Sequence, residues 1–501
     1  MGDTFWDLVA RSGAEHPDRV LLADDFGREL TAAGLVVAAE VAAAGLHDLG
    51  VFPGDVVSWV LPTVLEAPVL IVALARLGVV QNPIIPLLRH REVGLISSQV
   101  GTGLMIVPRV LRGFEHAAMA EELGVRTLVL DVDGDVTPEM RLPAGDPSSL
   151  PAPPTDATEY RWAYYSSGTT AAPKGIRHTD ASLMASSAGM IDGIGFAEGD
   201  VYPIAWPFTH IGGMTMLTTA LKGGACMVLF DTWDATTSPE RMAAHGPTVL
   251  GSATPFFRAF IDAHARSGGT LFTKVRACVG GGAPIPAEIS RELAEAFGVN
   301  GVVSSYGLTE FPIATSQSPS ETAIGTSVGR FVAGVTGRVV DGELRLKGPQ
   351  CFLGYLDPEL DATAFDEEGW FRTGDLAAID DDGTVHITGR LKDVVIRNAE
   401  NISALEVEEV VISHPDVVDV GVVGVADART GEHVCACVVL REGASLDVAA
   451  LGAHCTEKGL ARHKCPEQVL VVEVLERNPM GKIQKDPLRA LATAAAEVSA
   501  G

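Results

Sequence analysis

An α/β fold is predicted for this 501-residue chain by three features of its sequence. Helical and strand-like segments alternate over the first 150 residues, and the alternation resumes from Tyr160 to about Phe331. It then gives way to short alternating strands between Gly334 and Gly389, and to one more compact unit from about Val407 onward. Alternation of helices with strands builds layered sheets, and runs of short strands build a small β-structure. At roughly 150 residues per domain the chain holds two or three units. The expected architecture is a large N-terminal domain of layered α/β subdomains with a small β-structure, followed by a small α+β C-terminal domain.

The opening segment, MGDTFWDLVARSGAEHPDRV, has a helical pattern with neither the basic start nor the apolar core of a signal peptide. LTAAGLVVAAEVAAAGLHDLG predicts an Ala-rich helix ending at Gly50, and VFPGDVVSWVLP a turn and a strand. VLEAPVLIVALARLG predicts the next helix, and VVQNPIIP a strand closed by proline. From Asp131 to Tyr160 the chain is rich in Pro, Asp and Ser, which predicts a long surface loop joining two subdomains. EYRWAYY predicts a strand, and GELRLKG and VHITGR, with a DDDG turn, predict the small β-structure. Around Val407 the order is helix LEVEEVVISHP, strands VVDVGVVGV and VCACVVLRE, a helix, strand VLVVEVLE and a glycine loop. That is the size of one small domain.

Composition excludes several classes of function. Apolar residues at 47% and charged residues at 20% are ordinary for a globular chain, not a disordered one. The net charge of −27 makes a poor general binder of nucleic acid or anionic membrane, although a small anionic ligand needs only a local cradle. Charge at Glu40 and Arg76 breaks the longest apolar runs, so no integral membrane span is expected. Seven cysteines, an odd and sparse number, fit a reducing cytoplasmic protein with free thiols. His454, Cys455, His463 and Cys465 cluster near Cys435 and Cys437, but adjacent and i+2 spacings are not those of zinc sites. They are read as ordinary thiols and imidazoles.

The segment YYSSGTTAAPKG, Tyr164 to Gly175, carries the most information. A strand-like run feeds into hydroxyls at Ser166, Ser167, Thr169 and Thr170, glycines at Gly168 and Gly175, and Lys174. Such a loop can wrap a polyphosphate with backbone N–H groups and hydroxyls, while the lysine adds a point charge. It is not a Walker loop, because Pro173 precedes Lys174 and Gly175 follows it where a metal-binding hydroxyl is required.

Tyr165 to Gly175 resembles the signature of the adenylate-forming superfamily, which includes acyl-CoA synthetases, aryl-CoA ligases, peptide-synthetase adenylation domains and luciferases. Further motifs of that family follow in its order: GGGAP at 280–284, YGLTE at 306–310, TGD at 373–375, GRLKD at 389–393 and PMGK at 479–482. The resemblance implies an N-terminal AMP-binding domain over residues 1–390 and a mobile C-terminal domain over 391–501, with a hinge near Lys392. It also implies ATP, Mg2+ and coenzyme A. The reaction would be adenylation of a carboxylic acid, then thioester formation.

The family implies roles position by position. Ser166 to Lys174 would hold the β- and γ-phosphates, and Thr309 would contact the α-phosphate. Glu310 would bind magnesium, which takes oxygen ligands. Tyr306, next to Gly307, would stack on adenine, with Gly281, Gly282 and Ala283 lining the base. Asp375 would accept the ribose hydroxyls beside Arg390. Lys482 would bridge the substrate carboxylate and the α-phosphate as charge builds; Lys485, three residues on, is the wrong choice. His210 in WPFTHIGG would gate the acid site, with Trp206, Phe208, Met214 and Val303 as acyl-pocket candidates. No carboxylate lies between Asp200 and Asp231, which disfavours a free amino acid as substrate. An apolar medium-chain, alicyclic or aryl acid fits instead. SGTTAAPKG with IRHTD, and ENISALEVEE, resemble medium-chain and cyclohexanecarboxylate-type ligases.

Two positions depart from the family. Ala171 replaces a usual glycine in the phosphate loop. Asn398-Ala399 replaces Gly-Gly before Glu400, in the hairpin that lines the pantetheine tunnel. Asn tolerates a left-handed conformation, but Ala does so only at a cost. Three readings stay open at this point. One is an acyl-CoA synthetase, a second is an acyl-AMP ligase serving a carrier-protein thiol, and the third is a non-catalytic nucleotide-binding relative. A homodimer is left open as well.

Overall fold

The computed structural model describes residues 2–132, 139–166, 173–282, 285–320, 327–398, 400–427, 429–478 and 482–500. Among the described residues five sheets carry the chain, and four of them precede residue 391. The expected helices and strands of the first subdomain form at Phe5–Glu15, Ala32–Asp48, Val56–Trp59, Glu66–Leu77 and Val80–Pro83. Thr4 and Thr31 cap the first two helices with side-chain oxygens that accept backbone N–H groups, the usual way orphan donors at a helix start are satisfied. Every residue of the Glu66–Leu77 helix is buried, so its all-round apolar face marks a core helix.

A seven-stranded sheet forms the first layer. Its order is Gly354–Tyr355, Lys174–Thr179, Tyr160–Ser166, Val80–Pro83, Val56–Trp59, Leu104–Pro108 and Thr127–Leu130. A five-stranded sheet holds Val249–Ser252, Ala277–Gly281 and Val302–Tyr306 in parallel, then the short antiparallel Thr315–Ser316 and Arg330–Phe331. Ligands of open α/β sheets gather at the carboxyl ends of such strands. Here those ends are Ser166, Gly281 and Tyr306.

The small β-structure is a four-stranded antiparallel sheet of Thr336–Val340, Glu343–Lys347, Phe371–Ile379 and Val385–Arg390. A single turn of 3-10 helix, Leu391–Asp393, then leads into a separate sheet that starts with Val394–Arg397. That sheet pairs Val417–Asp427 with Gly431–Leu440, and Gln468–Val471 joins it in parallel. It has its own apolar core, built from Val407, Val422, Val434 and Leu451 among others. A helix at Lys485–Ala500, beyond the glycine loop where the sequence pattern ended, packs on this sheet through Leu488 and Ala492.

The Pro-rich segment after Asp131 is not a free surface loop in its described part. Leu142 and Leu150 pack on the main core, and Arg141 donates to Glu66 Oε1 at 3.1 Å. Arg76 donates to the carbonyl of Pro151 at 2.8 Å. Glu66 is fully buried and also holds Arg28, so the strap closes over a buried charge that needs both arginines. Among the described residues no helix is long and apolar enough to cross a membrane.

Candidate active site

Ser166 stands opposite Lys174 in the antiparallel register of their two strands, so the phosphate loop leaves and re-enters one sheet at neighbouring positions. Ser167, Gly168, Thr169 and Thr170 lie outside the described residues, as do Ala283, Ala399 and positions 479–481 of the lysine loop. Ser166 Oγ donates to Glu310 Oε1 at 3.4 Å, and Lys174 Nζ lies 5.5 Å from the ring centre of Tyr355.

The YGLTE turn begins where Val302–Tyr306 ends, one strand from Gly281. Gly307 is required here: a Cβ on it would stand 2.4 Å from the backbone nitrogen of Ile313. Thr309 and Glu310 are held from outside the motif. His178 Nε2 is 2.8 Å from the carbonyl oxygen of Thr309, which can only accept, so Nε2 carries the proton. Nδ1 then accepts from Ser182 Oγ at 2.9 Å. Burial pushes the His178 imidazole down to about 4, against the opposing pull of the Thr309 carbonyl, so it is neutral at pH 7. Phe352 N–H donates to the Glu310 carbonyl at 2.9 Å, and Tyr355 OH donates to Glu310 Oε1 at 3.0 Å.

Asp375 and Arg390 sit directly across from each other on adjacent strands. Arg390 Nε donates to Asp375 Oδ1, and Tyr306 OH donates to Oδ2 at 2.6 Å. Burial, together with the Asp375 carboxylate, raises the Tyr306 phenol well above its ordinary value, so it stays a donor. The expected ribose carboxylate, base-stacking ring and arginine are therefore one bonded unit, with Asp375 only 3% exposed.

Lys482 comes to this unit from the C-terminal domain. Its Cε lies 3.9 Å from where a Cβ on Gly282 would stand, and Gly282 holds a φ of +79°. Lys482 keeps an open face, yet the protein packed round the rest of it disfavours its charge, and Arg390 adds repulsion. Asp375 and Glu310 pull the other way, and the net effect lowers its affinity for a proton. Lys485 does not reach the site: its Nζ pairs with Glu408 at 2.8 Å.

His210 caps the helix Ile211–Gly223, with Nδ1 accepting the Gly212 N–H at 3.1 Å. A backbone N–H only donates, so the proton sits on Nε2. Burial, with repulsion from Lys482, brings His210 down to about 4, leaving a neutral donor at pH 7. His210 and Thr309 line one cavity of about 30 Å3, shared with Ile84, Ile85, Tyr164 and Thr209. Of the four acyl-pocket candidates, Trp206 stands edge-on to His210, with ring centres 6.4 Å apart. Trp206, Phe208, Met214 and Val303 are at most 8% exposed and belong to the main core.

Asn398 holds a φ of +51° at the tip of the Val394–Ser403 hairpin, and its N–H donates to Thr430 O at 2.7 Å. Asn398 and Glu400 are exposed. Lys392 lies in the 3-10 turn between the two sheets. Among the described residues no cluster of three or more His, Cys, Asp or Glu could hold a metal. All seven cysteines are free. The sequence motifs do not point to His178 or Tyr355. His178 stands inside the quoted IRHTD stretch, but nothing in its spacing points to Thr309.

The donor set suits magnesium carried on phosphates. Both described bonds to the Glu310 carboxylate reach Oε1, and Mg2+ is commonly held by one or two carboxylates plus substrate phosphates, with no all-protein cage.

Residues 9–356 match the model of the AMP-binding enzyme family, and residues 406–482 match that of the AMP-binding enzyme C-terminal domain. The chain is 30% identical to a medium-chain fatty-acid–CoA ligase of Escherichia coli, over 97% of this chain and 89% of that protein. It is 32% identical to a sulfoacetate–CoA ligase of Cupriavidus necator, over 96% and 97% respectively. Its structure is similar to that of ATP-bound MatB from Rhodopseudomonas palustris, with a TM-score of 0.87, 28% identity, and coverage of 97% of this chain and 99% of that one. Motifs, sheets and matched segments agree from end to end: the chain is a member of the AMP-binding enzyme family, within the adenylate-forming superfamily of acyl-CoA synthetases.

Proposed function

We propose that this chain is an AMP-forming acid–thiol ligase that makes acyl-CoA from an apolar carboxylic acid. The observation that carries this reading is the meeting of Lys482 with Gly282, beside the Asp375–Tyr306–Arg390 unit. It brings a cation from the second domain to the nucleotide site.

In the first step a carboxylate oxygen attacks the α-phosphorus of ATP. The bond from that phosphorus to the bridging oxygen breaks, and pyrophosphate leaves. Catalysis of this kind rests on positioning and charge neutralisation. Lys174 and the hydroxyls of the phosphate loop hold the leaving pyrophosphate. Tyr306 stacks on the base, and Asp375 exchanges its bond to the phenol for the ribose hydroxyls. Lys482 neutralises the carboxylate and α-phosphate together. His210 donates Nε2–H toward the acid, and Thr309 donates to the α-phosphate. Glu310 would hold magnesium, which would supply charge neutralisation to the phosphate oxygens.

In the second step the thiolate sulfur of coenzyme A attacks the acyl carbon. The bond from that carbon to the phosphate oxygen breaks, and AMP leaves. One active site serves both steps if the C-terminal domain turns about Lys392. We place the domain boundary between Arg390 and Leu391, where one sheet ends and a 3-10 turn begins. The φ of Asn398 supports coenzyme A as acceptor, because the hairpin keeps the backbone shape that glycine would give it. An apolar acid is supported by the Ile84, Ile85 and Ile211 walls beside His210. Seven unpaired thiols support a cytoplasmic enzyme.

The test is mass spectrometry of products from ATP, Mg2+, coenzyme A and a panel of straight-chain, alicyclic, aryl and sulfonated acids. Acyl-CoA from an uncharged-tail class is expected. Acyl-adenylate without thioester would shift the acceptor to a carrier-protein thiol. Turnover of sulfonated acids alone would overturn the apolar assignment.

A further inference from the structure

We infer that Tyr355 is a positioning residue that keeps Lys174 and Glu310 apart and aims each at its own part of the bound nucleotide. The inference rests on the roles given above to Lys174 and Glu310. Opposite charges at the edge of one site tend to collapse onto each other, and a lysine locked to the metal carboxylate would serve neither phosphate nor metal. Lys174 and Glu310 form no such pair among the described contacts. Tyr355 touches both.

Its hydroxyl donates to Glu310 Oε1 at 3.0 Å, and Lys174 Nζ sits 5.5 Å from its ring centre, within reach of a cation–π attraction. Tyr355 thus competes for each charge in a different way. A hydrogen bond ties down one oxygen of the carboxylate, and the electron-rich ring face attracts the ammonium.

Tyr355 is itself rigidly placed. Gly354 and Tyr355 pair antiparallel with Arg177 and Ile176, on the strand that begins at Lys174. Leu356 N–H donates to Gly175 O at 2.8 Å, and Tyr355 N–H donates to Asp361 Oδ1 at 2.8 Å. Its ring packs edge-on to Phe352, whose N–H holds the Glu310 carbonyl. Residues 352–356 therefore bind the lysine strand with one edge and the Thr309–Glu310 turn with the other. Tyr355 is the side chain in that strap that touches both charged ends. At 7% exposure it has no room to swing away.

Two variants separate the arms. Tyr355→Phe removes the hydroxyl and keeps the ring, whereas Tyr355→Leu removes both. ATP is titrated calorimetrically into the acid-free protein at several Mg2+ concentrations, so that binding is read without turnover. Tyr355→Phe is expected to raise the Mg2+ concentration for half-maximal ATP binding about 5-fold, the size of one lost hydrogen bond, while affinity at saturating Mg2+ stays near wild type. Tyr355→Leu is expected to weaken ATP binding at saturating Mg2+ as well. KM for the acid should move in neither variant. Two results would overturn the inference: a Tyr355→Phe protein with wild-type Mg2+ dependence, or variants alike in both readouts with KM for the acid shifted equally, which is the mark of general loosening. If no acid is turned over at all, the calorimetric arm still decides on Tyr355, and the failure belongs to the proposed reaction.

Discussion

Lys482 and Gly282 meet across the two domains, with the lysine Cε 3.9 Å from the position of a glycine Cβ. On the proposed reading this contact puts the lysine at the nucleotide, the arrangement suited to the first half-reaction. Lys482→Ala should therefore slow acid-dependent pyrophosphate release by roughly 10²- to 10³-fold, the loss typical of one stabilising group in a transition state. Thioester formation from supplied acyl-adenylate should stay within about 3-fold of wild type. Single-turnover assays of each step make the comparison. Because its surroundings depress the lysine's proton affinity, the adenylation rate should fall with rising pH before an ordinary lysine would lose its proton.

The turn Leu391–Asp393 joins two sheets, and on the proposed reading it is where the backbone rotates for the second half-reaction. A proline at Lys392 fixes φ and removes that freedom. Lys392→Pro should leave pyrophosphate release within about 3-fold of wild type and cut acyl-CoA formation by at least roughly 10²-fold. Quenched-flow analysis of both products checks this.

Asn398 occupies φ +51°, and its left-handed backbone is where Asn and Gly are at home. Asn398→Val should destabilise the chain by about 1–2 kcal/mol, whereas Asn398→Gly should be near neutral. Urea unfolding midpoints of the two variants give the comparison. Ala399→Gly, beside it, should speed thioester formation if the methyl narrows the path to the acyl group.

His178 is fully buried and neutral, pushed down to about 4 from an ordinary value of 6.5. The unfolded chain binds a proton at this residue as pH falls below 6.5, and the folded chain resists until about 4. Its contribution to stability is thus complete above pH 6.5 and is lost as pH falls toward 4, by up to about 3 kcal/mol. Unfolding free energy measured against pH should fall less steeply in His178→Gln than in wild type across that window. Parallel curves would show that folding leaves the proton affinity of His178 unchanged.

Much of the site was legible because the family's motifs end strands or face each other across them. TGD and GRLKD put Asp375 opposite Arg390 in one register, so their pairing follows from strand geometry. PMGK separated Lys482 from Lys485, and the structure parts them, with Lys485 bound to Glu408. What stayed hidden depends on partners distant in the chain. Tyr355 bonds to a residue 45 positions away, and Arg141, which straps the Pro-rich segment down, bonds to one 75 positions away. No local spacing encodes either contact. The acyl-pocket candidates are hard to single out for another reason. Apolar character is shared by pocket walls and by the core, and Phe208 and Met214 went to the core.

The proposed reaction turns on attack by the acid's own oxygen at the α-phosphorus of ATP. Carboxylic acid labelled with 18O in both oxygens, turned over with ATP, Mg2+ and coenzyme A, tests it directly. AMP carrying one 18O atom, acyl-CoA carrying the other, and unlabelled pyrophosphate are expected. Unlabelled AMP, or label in inorganic phosphate with ADP as the nucleotide product, would contradict it.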